Sequence, residues 1–209
     1  MAKIKLEALD AMQYDVLKEI GNIGAGNATT ALSQLINMKV DMSVPRVALV
    51  PFKDISAIVG PEDTPLVGIL LQLEGDVSGM MMFLLQEESA RNLVNVLMGS
   101  ALGIEDDNPD EYSEIELSAL NEIGNIISGS YLSAMSGLTN LTITASVPSL
   151  AIDMAGALLS VPATEFGKIG DKVLLIQTQF GEDDFVNGYF LMIPELDSYD
   201  KILESLGIA

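Results

Sequence analysis

The chain has no cysteine and no histidine, and those two absences exclude more chemistry than any composition figure supplies. There can be no thiol nucleophile, no imidazole general base and no Ser-His-Asp triad. The usual zinc ligands are missing too, so no metal centre of the chain's own is expected. No disulfide framework can form, which fits a reducing, cytoplasmic compartment. Basic residues are scarce: 10 Lys and Arg stand against 30 Asp and Glu, for a formal charge of -20. A surface of that sign repels nucleic-acid phosphates and anionic lipid, so neither is an expected partner. It reads either as a solubility device or as the complement of a partner with basic patches. No apolar run approaches the ~20 residues of a membrane-spanning helix, so no membrane insertion is expected. The stretch from Met1 to Gln13 lacks the apolar core of a secretory signal. There is no G-x-x-x-x-G-K-[ST] loop, which removes P-loop nucleotide hydrolysis. Carboxylates, hydroxyls and amides remain, or groups brought by a partner.

What is present is a repeat. Glu19-Ile20-Gly21-Asn22-Ile23 returns as Glu122-Ile123-Gly124-Asn125-Ile126, an offset of 103. Carried without gaps from Asp15–Pro45 to Ser118–Pro148, that offset matches 14 of 31 positions. They include Gly26/Gly129, Leu35/Leu138, Asn37/Asn140 and Ser43-Val44-Pro45/Ser146-Val147-Pro148. The chain reads as a tandem duplication, with repeats over about 10–99 and 113–207. Between them lies an acidic linker, 103–116, holding seven Asp and Glu and one Pro. Each half predicts a long helix, an extended segment, two β-rich runs and a short amphipathic helix. The long helix of the first half is expected over about Asp10 to Asn37. The β-rich runs are Leu66 to Leu73 and Val77 to Leu85, then Val173 to Gln179 and Phe185 to Ile193. The closing helices are Glu88 to Met98 and Asp197 to Leu206, with Gly99 and Gly207 in the C-cap place. Helices and strands do not alternate as in βαβ units. The expected fold is therefore α+β, a pseudo-twofold antiparallel sheet packed by two long helices, all 209 residues sharing one core.

On the first long helix Met12, Val16, Ile20 and Ile23 fall on one face, the expected core stripe. Asp15, Glu19 and Asn22 cluster within about 60° of arc on another face, and Gly26 extends that row. Ser118, Glu122, Asn125 and Gly129 repeat it. A solvated helix face could carry such residues without purpose, but the Glu and Asn keep their identity in both copies while Lys18 and Asn121 do not. A carboxamide offers both a donor and an acceptor, so it can hold a water and aim it at phosphorus. Phosphoryl transfer depends chiefly on positioning and charge stabilisation, so a substrate that brings its own metal and phosphoryl pocket needs little more. The Glu can pair with a basic group of that substrate. Small residues at Gly21, Ala25 and Ala28 suit a close helix crossing. Gly26 and Gly129 suit either packing or the approach of a partner's backbone.

These residues resemble the CheC family signature, [Asp/Ser]-x3-Glu-x2-Asn-x22-Pro. Asp15, Glu19, Asn22 and Pro45 match it at full spacing, as do Ser118, Glu122, Asn125 and Pro148. The resemblance covers essentially the whole chain and implies a phosphatase acting on the aspartyl-phosphate of the chemotaxis response regulator CheY. It implies Glu19/Asn22 and Glu122/Asn125 as two sites, the Asn orienting water and the Glu contacting a Lys of the regulator. Mg²⁺ would sit on the phosphorylated partner. The family also binds CheD, a receptor glutamine deamidase, through a helix after the second motif. Ser149 to Ser160 is the matching stretch, Asp153 its expected contact, and a core helix its plainer reading. The alternative to an enzyme is an adaptor that binds CheD or the regulator without turnover. Because internal duplication can replace a dimer, a monomer is expected.

Overall fold

The structure is a computed structural model and describes residues 11–36, 39, 42–102, 111–165, 172–180 and 186–206. In chain order the elements are α1 (Ala11–Ile36), β1 (Met42–Pro51), a 3-10 turn (Phe52–Asp54), α2 (Ser56–Val59), β2 (Pro65–Gly75), β3 (Gly79–Gln86) and α3 (Glu87–Leu102). There follow α4 (Glu114–Thr139), β4 (Ile143–Ala145), β5 (Ser149–Met154), α5 (Ala155–Glu165), β6 (Lys172–Phe180), β7 (Val186–Pro194) and α6 (Leu196–Ser205). The α+β class expected from the sequence is the one that forms. The expected helix ends at Asp10 and Asn37, the strand start at Phe185, the C-cap Gly207 and linker positions 103–110 lie outside the described residues.

Seven strands build one sheet in the order β1-β6-β7-β3-β2-β4, with β5 continuing the β4 edge along β2. Every pairing is antiparallel. The order reads the same from either edge once β1 is exchanged with β4/β5, β2 with β6 and β3 with β7. The registers obey the same exchange. One row crosses the sheet as Val47, Ile176, Phe190, Phe83, Ile69 and Leu150. Phe83 and Phe190 are direct partners at its centre, so a pseudo-twofold passes through that pair, normal to the sheet.

The sheet is covered on both faces, which is why β3 reads Gly-Met-Met-Met-Phe-Leu-Leu-Gln with every residue but the last buried. An antiparallel sheet with one wet face would instead alternate. On one face α1 and α4 bring Ile20, Leu32, Leu120 and Ile127 into a core with Ile69, Phe83, Ile176 and Phe190. On the other, α2 and α5 place Val59, Leu158 and Leu159 among Leu66, Leu84, Leu175 and Leu191. Each such side chain contributes roughly 1.5–3 kcal/mol by leaving water.

Four local expectations need correction. The core stripe of α1 is Leu17, Ile20, Gly21, Gly24, Ala25, Ala28 and Leu32, whereas Met12 is 69% exposed and Val16 and Ile23 are only half-buried. The small residues carry the closest packing, so the stripe follows them rather than the bulkiest side chains. Second, α3 runs through Gly99 to Leu102 instead of capping there. Third, Ser149–Met154 is strand β5, and helix begins only at Ala155. Fourth, Ser113 caps α4, its Oγ accepting from Glu116 N while the Glu116 carboxylate accepts from Ser113 N at 2.7 Å. This capping box takes the end of the acidic stretch into the helix.

Candidate active site

Helix α4 is almost wholly enclosed. Between residues 115 and 134 its exposed positions are Ile115, Ser118, Glu122, Asn125, Gly129 and Ser133, the others being buried or half-buried. Those positions form one narrow row, spaced three and four residues apart. The second copy of the motif is thus the strip of α4 that meets solvent. On its flanks Leu120, Ile123, Ile127 and Tyr131 are buried. Ser130 Oγ is satisfied locally, donating to the Ile126 carbonyl at 2.7 Å, whereas the buried Ser128 Oγ has no hydrogen-bond partner among the described residues.

The equivalent row of α1 is Met12, Asp15, Glu19, Asn22, Gly26 and Thr30, all exposed. The start of α1 is tied to the sheet by the Tyr14 hydroxyl, which donates to the Val47 carbonyl. No hydrogen bond or ion pair joins Asp15, Glu19, Asn22, Ser118, Glu122 or Asn125 to another described residue. The carboxylates and carboxamides are therefore available to an incoming molecule.

Glycines bring both helices down onto the sheet. A Cβ on Gly21 would lie 3.1 Å from Val47 Cγ2 and 3.8 Å from Ile176 Cγ2. One on Gly124 would lie 2.5 Å from Ile69 Cδ1. Ile176 and Ile69 are counterparts under the pseudo-twofold, so the neighbouring Asn22 and Asn125 stand over opposite halves of the sheet. Further along, Tyr131 stacks on Phe190, so α4 crosses from β2 toward β7 and α1 runs the opposite way. Of the small residues expected at a close helix crossing, Gly21 packs on the sheet instead and Ala25 and Ala28 are buried, while Gly24 meets α4, where a Cβ would overlap the Tyr131 ring. From β6 to β2 are three interstrand spacings, roughly 14 Å. The two Glu/Asn pairs therefore form separate faces and cannot converge on one phosphoryl group.

Pro45 and Pro148 mark equivalent irregularities in the edge strands. In β1 the pairing with β6 shifts between Ser43 and Arg46. On the other edge β4 ends at Ala145, opposite Leu73, and β5 resumes at Ser149, opposite Leu70. Each edge carries one extra residue in its Ser-Val-Pro, and a bulge is where a residue without an N–H is tolerated. Val44 Cγ1 lies 3.6 Å from a Cβ on Gly21, which sets the first bulge beside the Asn22 turn. Val147 is 85% exposed, so the two bulges present different surfaces.

Asp153 lies far along β5, paired to Leu66, and belongs to neither row. It is exposed, and its Oδ1 accepts from Met154 N at 2.7 Å. Among the described residues no three carboxylates are grouped as metal ligands, and no helix is long and apolar enough to cross a membrane. Of the apolar heads of the two rows, sequence reasoning placed Met12 in the core stripe, although it is 69% exposed, and passed over Ile115. The same offset of 103 relates them.

A twofold-like sheet under two antiparallel helices, each showing solvent a Glu/Asn row, defines a class of paired-motif proteins. The family model described as CheC-like matches residues 12–49 and 115–152, one match on each motif. The CheY-P phosphatase CheC of Bacillus subtilis (strain 168) is 37% identical over 93% of this chain and 94% of its own length. The chain belongs to the CheC-like family. Among solved structures it resembles FliY of Thermotoga maritima, with a TM-score of 0.73 and 24% identity over 96% of this chain and 98% of that one. It also shares the fold of the CheX-CheY-BeF3-Mg²⁺ complex of Borrelia burgdorferi, with a TM-score of 0.50 and 14% identity over 82% and 96% of the two chains.

Proposed function

We propose that this chain is a phosphatase for the aspartyl-phosphate of a chemotaxis response regulator of the CheY type. The observation that carries the reading is the pair of exposed Glu/Asn faces, without a hydrogen-bond partner among the described residues and at equivalent places in both halves of a chain of this family. Asn22, or Asn125, accepts a hydrogen bond from one water and holds its lone pair toward phosphorus, and both of that water's protons end on the phosphate product. That water attacks in line, a P–O bond forms, and the bond to the regulator's carboxylate breaks. Inorganic phosphate leaves with the water's oxygen, and the Asp carboxylate departs with the bonding pair. This chain contributes positioning, and a Mg²⁺ held by the regulator would supply the charge neutralisation. Glu19 and Glu122 take a Lys of the regulator as a charge-assisted contact that fixes register. Asp15, Ser118, Pro45 and Pro148 shape the surroundings rather than react.

The test is decay of radiolabelled phospho-CheY. The wild-type chain should speed it, and Asn22→Ala combined with Asn125→Ala should abolish the acceleration while binding remains. Loss of binding together with turnover would favour an adaptor.

A second contact accompanies this reading. β5 is an edge strand with Ile152, Asp153 and Met154 exposed, whereas Val50, the counterpart of Asp153, is buried. A one-sided CheD contact at Asp153 fits that asymmetry, and Asp153→Ala should weaken CheD capture without changing phospho-CheY decay. A monomeric, cytoplasmic protein is the accompanying expectation, checked by its mass in solution.

A further inference from the structure

We propose that the regulator seats its own backbone on the bare helix turns at Gly26 and Gly129, and that these glycines set how closely it approaches Asn22 and Asn125. The inference rests on the phosphatase reading of the same two faces and adds to it the surface that receives the partner. Glycine inside a helix is less stable than alanine, so each helical glycine requires a reason. Gly21, Gly24 and Gly124 have one within the chain, because a Cβ would press on Val47, Tyr131 or Ile69. Gly26 and Gly129 have none among the described residues: nothing there lies within 4 Å of a Cβ at either, and neither adopts a positive φ. Yet both equivalent helices carry glycine there, on the exposed row, one turn beyond the Asn.

An open helix surface gains one thing from glycine over alanine, the closeness with which a second backbone can approach. Gly137 is equally open, but its counterpart is Gln34, so that position tolerates a side chain. The opposite end of each row is apolar. Met12 is 69% and Ile115 54% exposed, three residues before Asp15 and Ser118. One exposed apolar residue is ordinary; an apolar residue at the head of both Glu/Asn rows marks the rim of a contact. From head to tail, each row offers an apolar contact, a carboxylate, a carboxamide and bare backbone. Because Glu and Asn stand between the two ends, the occupant is the phosphorylated regulator.

The experiment titrates the full chain with Bacillus subtilis CheY activated by beryllofluoride and Mg²⁺. It compares wild type, Gly26→Ala with Gly129→Ala, and Gly26→Gln with Gly129→Gln, and records the melting temperature of each. Both glycine variants should melt above wild type, since both new residues favour helix. Kd should rise at least tenfold for the Gln pair and less for the Ala pair. Met12→Ser with Ile115→Ser should raise Kd severalfold. An unchanged Kd in a Gln pair that melts higher overturns the inference, and so does a lowered melting temperature, which would make the glycines structural. If phospho-CheY decay is still accelerated in those cases, the phosphatase reading survives. A wild-type chain that neither binds activated CheY nor speeds decay overturns both.

Discussion

Gly24 on α1 lies against the ring of Tyr131 on α4, so closely that a Cβ would overlap ring atoms. Tyr131 in turn stacks on Phe190 with ring centroids 4.6 Å apart and 24° between planes. Helix, helix and sheet thus meet at one ring, and it cannot move to make room. Gly24→Ala should lose about 1–3 kcal/mol through overpacking, despite the ~1 kcal/mol that alanine gains in helix propensity. Two residues on, Gly26→Ala should gain about 1 kcal/mol. Urea denaturation of the two variants should move in opposite directions, and a shared sign would contradict this packing.

The Tyr131 hydroxyl is buried and, among the described residues, has no hydrogen-bond partner. A stranded buried hydroxyl carries its desolvation penalty without compensation. Tyr131→Phe keeps the stack on Phe190 and removes the penalty, so stability should be equal or higher by about 1 kcal/mol. Tyr131→Leu loses the stack and should destabilise by more than 1 kcal/mol. A Phe variant as damaged as the Leu variant would mean that the hydroxyl is bound.

Much of this fold is legible from two signals. The repeat at offset 103 announces the pseudo-twofold, and apolar runs such as Met80 to Leu85 announce strands buried on both faces. Within the candidate site, the Glu/Asn row is legible because its i, i+4, i+7 spacing fixes one helix face whatever lies beneath. The buried side of α1 is less so. Hydrophobic size points to Met12 and Val16, whereas contact with β1 and α4 selects Gly21, Gly24 and Ala28, and contact is a tertiary property. Reading Ser149–Ser160 as one helix ignores the alternation of Leu150, Ile152 and Met154, a period-2 strand signal. The match of Asn37 with Asn140 gains a cause in its second copy. Asn140 ends α4 at φ 54°, a left-handed C-cap that asparagine tolerates.

Glu19 and Glu122 should govern affinity more than turnover. Both are exposed, so a contact with a regulator lysine forms at a wet rim and responds to salt. Glu19→Ala with Glu122→Ala should raise KM for phospho-CheY about tenfold, the size of one charge-assisted hydrogen bond. The saturated rate should change little. Wild-type KM should climb with ionic strength and that of the variant should be flatter. A fall in the saturated rate with constant KM would assign the carboxylates to chemistry instead.

Alkaline pH should unfold the protein through its tyrosines. Burial pushes the Tyr112 phenol up to about 12, against the lowering effect of Arg91, whose guanidinium lies 4.2 Å from the ring centroid. Burial also raises Tyr131, Tyr189 and Tyr199. The folded state holds these protons more tightly than the unfolded chain, whose phenols ionise near 10. Their contribution is complete below about pH 10 and is lost as pH rises through the folded values. Melting temperature should start to fall above about pH 10, with phenolate absorbance lagging until structure is lost. Ionisation of Tyr112, Tyr131, Tyr189 and Tyr199 near pH 10 with the fold intact would refute this.

The two proposed phosphatase faces should act independently. Asn22 and Asn125 adjoin glycines seated over strands three spacings apart, roughly 14 Å, and neither helix shares its exposed row with the other. Asn22→Ala should therefore remove one site's share of the maximal rate and Asn125→Ala the other's. The two losses should sum to the wild-type rate, and KM at the surviving site should be unchanged. The shares need not be equal, because Asp15 is replaced by Ser118 and the half-buried Val44 by the exposed Val147. Single-turnover decay of phospho-CheY with each variant in excess measures both shares. If each single substitution by itself abolished all acceleration, the faces would have to work as one composite site, which their separation across the sheet does not permit.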